Sequence, residues 1–252
     1  MSNTITHLLP EQASQHGCQW NFLNKPQEKV VSYVDALVPY ELKKLSDYSL
    51  EMKERDIETI RESRCIIVLT GLSGAGKTTM RKILGDLEVW EIVPCKVTRP
   101  LRVNEKWVWV RGRFLTEKID GLPEEAEEMV FIERQKTGWY LYDLRDVWQH
   151  TLIADFWDQW AISIQAQKEQ ILTTYWIHVF QIWLTTPSAN FDSDRFEWKN
   201  VSTTLHRIQP DELARYIPVE QKADIRILAS LSRDQVADSI IREVAQKLKE
   251  SD

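Results

Sequence analysis

The chain has 252 residues, 43% hydrophobic and 28% charged, with 8 Gly, 9 Pro and 3 Cys, which excludes collagen, low-complexity disorder and a disulfide scaffold. A formal net charge of -6 and a pI near 5.5 disfavour a protein whose main task is to grip nucleic acid through its phosphates, so an anion must meet a local site. The amino terminus has no basic stretch followed by an apolar one and no run nears the roughly 18 apolar residues of a membrane span, so a soluble cytoplasmic chain without membrane contact is expected.

Residues 1 to about 24 are polar and aperiodic and read as a tail or loosely packed arm. From Pro39 to Arg64 apolar residues recur at helical spacing among mixed charges, the pattern of an amphipathic helix. Such a helix either packs on the domain that follows or is offered to a protein partner. The expected division is a tail and helical extension over 1–62, then one α/β domain over 63–252.

Cys65-Ile-Ile-Val-Leu-Thr70 is a short apolar run rich in β-branched residues, expected as a parallel strand buried on both faces. A Gly-rich turn and a helical pattern from Thr78 to Leu87 follow. Further strands are expected at Trp90 to Val97, Trp107 to Val110, Met129 to Glu133, Trp160 to Gln165, His178 to Leu184 and Ala223 to Leu228. The stretch Ser232 to Lys249 has Val236, Ile240, Ile241, Val244, Ala245 and Leu248 on one helical face. Strands alternating with helices predict an α/β fold with a parallel central sheet. Cys18, Cys65 and Cys95 have no paired spacing, so reduced thiols are expected. The 11 Trp residues either stack on a planar base or fill core and interface.

Gly71-Leu-Ser-Gly-Ala-Gly-Lys77-Thr78 matches G-x-x-x-x-G-K-[ST] between an expected strand and an expected helix. Gly71, Gly74 and Gly76 let the backbone curl until successive N–H groups converge on one anion, and the helix N-terminus adds positive potential there. Gly71, Ser73, Gly74, Ala75, Gly76, Lys77, Thr78 and Thr79 are thus expected around the phosphates of ATP. Lys77 would place an ammonium on the β- and γ-phosphates and Thr78 a hydroxyl on Mg²⁺.

About 20 residues on stands Thr98-Arg99-Pro-Leu-Arg102-Val-Asn-Glu105. Two guanidinium forks three residues apart on an irregular segment can clamp one phosphate. This segment resembles the T-T-R-x-x-R-x-G-E signature of guanylate kinases, and the resemblance extends over most of residues 64 to 250. It implies a three-layer P-loop kinase core, small acceptor-binding and lid segments, and a nucleotide as the small-molecule acceptor. Phe131-Ile-Glu133 looks like the family's F-I-E segment, whose glutamate reads the base. Trp139-Tyr140-Leu-Tyr142 looks like its tyrosine pair near the acceptor phosphate, and Trp107 stands on its aromatic strand. Arg99 and Arg102 would hold the acceptor phosphate. Arg195 falls in the lid-like stretch and Arg207 in the helix after it, where the family neutralises the transferring group.

The sequence departs from that pattern at two base contacts. Cys95 replaces a serine, a much weaker hydrogen-bonding group. The family's strand end L-E-I-D-x-Q-G aligns with Ile162 to Lys168, which puts Gln165 where an aspartate is expected and removes the obvious second acid near the metal. The segment Asp120 to Glu128 is unusually rich in carboxylates and reads as a solvated acidic helix. The leading expectation is an ATP- and Mg²⁺-dependent transfer to a nucleoside monophosphate resembling GMP or dGMP. A second is a kinase of a phosphosugar, an unusual nucleoside or a modified base in nucleic acid, with Glu133, Asp143 or Asp146 as base. A third is a nucleotide-gated module that binds a protein without turnover.

Overall fold

The computed structural model describes residues 38–71, 75–107, 109–110, 113–122, 130–135, 137–145, 152–155, 158–185 and 219–251. Helical residues 38–46 (α1) and Leu50–Glu62 (α2) precede strand β1, Cys65–Thr70. Helix α3, Lys77–Asp86, leads to β2, Glu91–Ile92, and β3, Cys95–Val97. After a 3-10 turn at Val103–Trp107 come β4, Trp109–Val110, β5, Arg113–Phe114, and β6, Thr116–Lys118. Strands β7, Val130–Gln135, and β8, Gly138–Asp143, form a hairpin, and β9 is Leu152–Asp155. Helix α4, Asp158–Tyr175, β10, His178–Thr185, β11, Ile225–Leu228, and α5, Arg233–Ser251, complete the order.

Every residue of β1 is buried, as its unbroken apolar run requires, because it is the middle strand of a five-stranded sheet ordered β11-β10-β1-β9-β2. All its pairings are parallel. Alternation along β1 divides the core in two. Cys65, Ile67 and Leu69 join Ile60 of α2, Met80 and Leu84 of α3 and Val236, Ile240 and Val244 of α5, whereas Ile66 and Val68 join Ile164 and Ile171 of α4. The sheet is therefore covered by helices on both faces. A second sheet of four strands, ordered β6-β3-β8-β7, adds its Cys95, Val97, Phe131, Tyr140 and Tyr142 to the α4 side. Strands β4 and β5 pair separately.

Helix α2 is seated on α5. Ser49 caps it by accepting from the Met52 amide, and Ile60 is fully buried in the shared core. Lys53 Nζ lies 2.6 Å from Asp238 Oδ1, and Lys249 Nζ 2.8 Å from Asp56 Oδ1. The single helix expected over Pro39 to Arg64 is thus two, α1 and α2, parted at residues 47–49 where Ser49 caps the second, and α2 packs on the domain that follows. Among the described residues no helix is long and apolar enough to cross a membrane.

Three expected strands come out differently. The stretch Trp90 to Val97 is two strands in different sheets, parted at Val93-Pro94, where proline lacks the N–H that a continuous ladder needs. The stretch Trp107 to Val110 divides into the end of the 3-10 turn and β4. Trp160 to Gln165 is not a strand: it lies inside α4. Its β-branched run belongs to a longer helical period, with Ile164 and Ile171 two turns apart on one buried face.

Candidate functional site

At the carboxyl end of β1 the backbone takes a conformation that favours glycine. Gly71 has φ +141°, and a Cβ on it would stand 2.9 Å from the Leu184 carbonyl oxygen of β10. Gly76, at φ +92°, precedes α3 in a left-handed conformation and makes no side-chain cap bond. The helix opens on Lys77, with Thr78 and Thr79 in its first turn. Lys77 Nζ donates to the Gly71 carbonyl oxygen at 2.9 Å, so the lysine reaches back to the residue that follows β1. The end of β1, the opening of α3 and the lysine are thus brought together as the sequence suggests. Ser73 and Gly74 lie outside the described residues, and Ala75 is buried.

Strand β9 brings a residue to this end of the sheet that the sequence reading missed. It runs parallel to β1, and its last residue, Asp155, pairs in register with Leu69, two positions before Gly71. An acid therefore ends the strand next to the loop. The expected strand end at Gln165 is corrected accordingly: Gln165 lies within α4, and its buried Oε1 has no hydrogen-bond partner. The run Leu152-Ile-Ala-Asp155 was the available signal, an apolar stretch closed by an acid and followed by a helical period. Among the described residues no three His, Cys, Asp or Glu side chains cluster to hold a metal ion by themselves.

The four-stranded sheet carries several of the residues expected on the acceptor side. Tyr140 of β8 is opposite both Val97 of β3 and Glu133 of β7. The β7–β8 turn closes on the segment after β3: the Trp139 amide donates to Thr98 Oγ1 at 3.0 Å, and the Thr98 amide donates to the Trp139 carbonyl at 3.1 Å. Gly138, at φ +147°, permits that approach, since a Cβ there would stand 3.0 Å from Thr98 Oγ1 and 3.1 Å from the Arg99 nitrogen.

This approach sets the arginines in unlike surroundings. Arg99 is only 6% exposed; its Nη1 and Nη2 donate to Glu105 at 2.7 and 2.6 Å, and its Nε donates to the Tyr140 hydroxyl at 2.7 Å. The Thr137 hydroxyl lies 3.1 Å from the same oxygen. Arg102 is exposed, and its backbone amide donates to Glu105 Oε2 at 2.8 Å. Burial pushes the Glu105 carboxyl up, but the Arg99 bonds, the Arg102 amide and both guanidinium charges outweigh it and hold the acid below its ordinary range. The two guanidinium groups thus differ: a carboxylate of the chain itself fills the fork of Arg99, while Arg102 is exposed.

Of the other expected residues, several pack in the core or pair within the chain. Tyr142 is 1% exposed in the core, opposite Phe131, and Cys95 is 7% exposed with its amide donating to the Leu115 carbonyl at 2.9 Å. Trp107 ends the 3-10 turn. Asp143 is clasped by Arg145, whose Nε and Nη2 donate at 2.8 and 2.7 Å and, with Lys96 nearby, hold its carboxyl below the ordinary range. Such an acid is a poor general base. Asp146, Arg195, Arg207 and most of Asp120 to Glu128 lie outside the described residues. No protein-family model matches the chain, and no curated protein matches it.

Proposed function

We propose that the protein is an ATP- and Mg²⁺-dependent phosphotransferase of P-loop kinase type, moving the γ-phosphoryl group to a nucleotide acceptor resembling a nucleoside monophosphate. The observation that carries this reading is Lys77 at the opening of α3, its Nζ over the Gly71 carbonyl, with Asp155 ending the neighbouring strand. Backbone N–H groups at the start of α3 hold phosphate oxygens, and Lys77 balances the charge that builds up between the β- and γ-phosphates. Thr78, in the first turn of α3, and Asp155, at the end of β9, would be the oxygen donors for Mg²⁺, a hard cation that takes few protein ligands. Held there, Mg²⁺ would supply positive charge against the phosphates.

On the acceptor side, exposed Arg102 meets the acceptor phosphate, while Arg99 fixes the Tyr140 hydroxyl and the 98–105 segment around it. An acceptor phosphate oxygen takes the γ-phosphoryl group as the bond to ADP breaks, and an anionic oxygen needs no base. Cys95 favours a second acceptor class, an unusual nucleotide or phosphosugar, because a thiol reads a guanine edge poorly.

The test is transfer of labelled γ-phosphate from MgATP to nucleoside monophosphates and phosphosugars, with Lys77→Ala and Arg102→Ala as controls. Product that disappears with Lys77→Ala is the expected result. Absence of product from every acceptor, or equal rates with Lys77→Ala, sinks the reading.

A further inference from the structure

Arg81 stands one turn along α3 from Lys77, about 6 Å further down the axis on the same face, and is only 3% exposed. Its Nη2 donates to the Val93 carbonyl oxygen at 2.8 Å, its buried Nε has no hydrogen-bond partner, and among the described residues no carboxylate pairs with it. Burying a guanidinium on these terms costs more than burying a leucine or methionine of similar volume. Packing alone therefore does not account for an arginine at this position.

Its one hydrogen bond falls at a joint. Val93 and Pro94 carry the chain out of the parallel sheet, from β2, into the four-stranded sheet, at β3. One face of α3 thus touches Gly71 through Lys77 and, through Arg81, the joint that leads into the four-stranded sheet, here called the acceptor arm. A polyanion seated at the helix opening supplies the countercharge that Arg81 lacks, and so favours the arrangement in which its charged fork is buried on Val93.

We propose that Arg81 is a positioning residue that couples occupancy of the phosphate loop to the setting of the acceptor arm, through its grip on the Val93 carbonyl. The proposal rests on the loop being a triphosphate site.

Amide hydrogen exchange of the full chain, with and without MgATP, tests it at Cys95–Val97 and Tyr140–Asp143, beside calorimetric titration of MgATP. The expected result is about tenfold slower exchange in the arm when MgATP binds. Arg81→Lys, which keeps the charge, retains the slowing, while Arg81→Gln, which keeps a donor for the carbonyl but not the charge, binds MgATP and loses it. Arg81→Met serves where Arg81→Gln loses its folded state. MgATP binding without any slowing in the unmodified chain, or equal slowing in Arg81→Gln, overturns the coupling and leaves the triphosphate reading standing. Calorimetry that detects no MgATP binding removes the triphosphate reading and the coupling with it.

Discussion

Glu105 accepts hydrogen bonds from both terminal nitrogens of Arg99, at 2.7 and 2.6 Å, and a third from the Arg102 backbone amide at 2.8 Å. One carboxylate thereby fixes the fork of one arginine and the backbone of the other. Because Arg99 is 6% exposed, removing its partner leaves a buried charge with only neutral acceptors.

Glu105→Gln is therefore expected to lower unfolding free energy by about 3 kcal/mol near neutral pH. The folded carboxyl lies below its ordinary value of 4.5, so its contribution is complete above that value and is lost as pH falls through the folded value. Urea unfolding curves of the two chains should converge in acid. A gap that persists or widens there refutes the account.

Gly71 and Gly76 both have positive φ, yet their surroundings separate them: a Cβ on Gly71 meets the Leu184 carbonyl at 2.9 Å, and one on Gly76 meets nothing within 4 Å. Gly76→Ala is expected to carry backbone strain alone, about 1 kcal/mol. Gly71→Ala adds a clash with backbone that β10 cannot relieve, and should cost about 3 kcal/mol. Thermal unfolding of the two variants gives the order, and equal losses would show that the approach to Leu184 is not tight.

Asp155 ends β9 beside the loop, which makes it the acid on which the metal role of the proposed reaction depends. Asp155→Asn keeps the size and the strand, so thermal stability should hold while MgATP-dependent transfer falls by about a hundredfold or more. Transfer unchanged in Asp155→Asn would move the metal role elsewhere.

These residues differ in how far the sequence announces them. Strand β1, Gly71 and Lys77 were legible because their signals are local: a buried strand must be apolar throughout, and the close approach of Gly71 to Leu184 needs a residue without a Cβ. Strand β9 was hidden because four residues carry almost no periodicity, and the β-branched run after Trp160 offered a better-looking strand. Arg99 and Arg102 could be picked out, but the carboxylate that fills one fork could not, because Glu105 reaches Arg99 only when the 3-10 turn folds back. Arg81 was invisible for a related reason: helical spacing gives a face, and only the packed fold shows that the arginine lies inside.

Glu220 supplies a stability dependence of opposite sign. It is 4% exposed just before β11, its Oε1 has no hydrogen-bond partner, and Arg226 reaches only its backbone oxygen, at 3.3 Å. Burial pushes its carboxyl up to about 8, against a smaller lowering by the Arg226 charge. The folded chain therefore keeps a proton that the unfolded chain releases above its ordinary value of 4.5. Below that value both forms are protonated and the group has no effect. Between it and about 8 the folded form binds the extra proton, so stability falls as pH rises, by at most about 1.4 kcal/mol per pH unit, and levels off above. Glu220→Gln holds a neutral amide in the same space at every pH and should remove this slope. Thermal unfolding from mildly acidic to mildly alkaline pH is expected to show the variant gaining on the unmodified chain as pH rises. Parallel curves would mean that Glu220 is ionised in the folded protein.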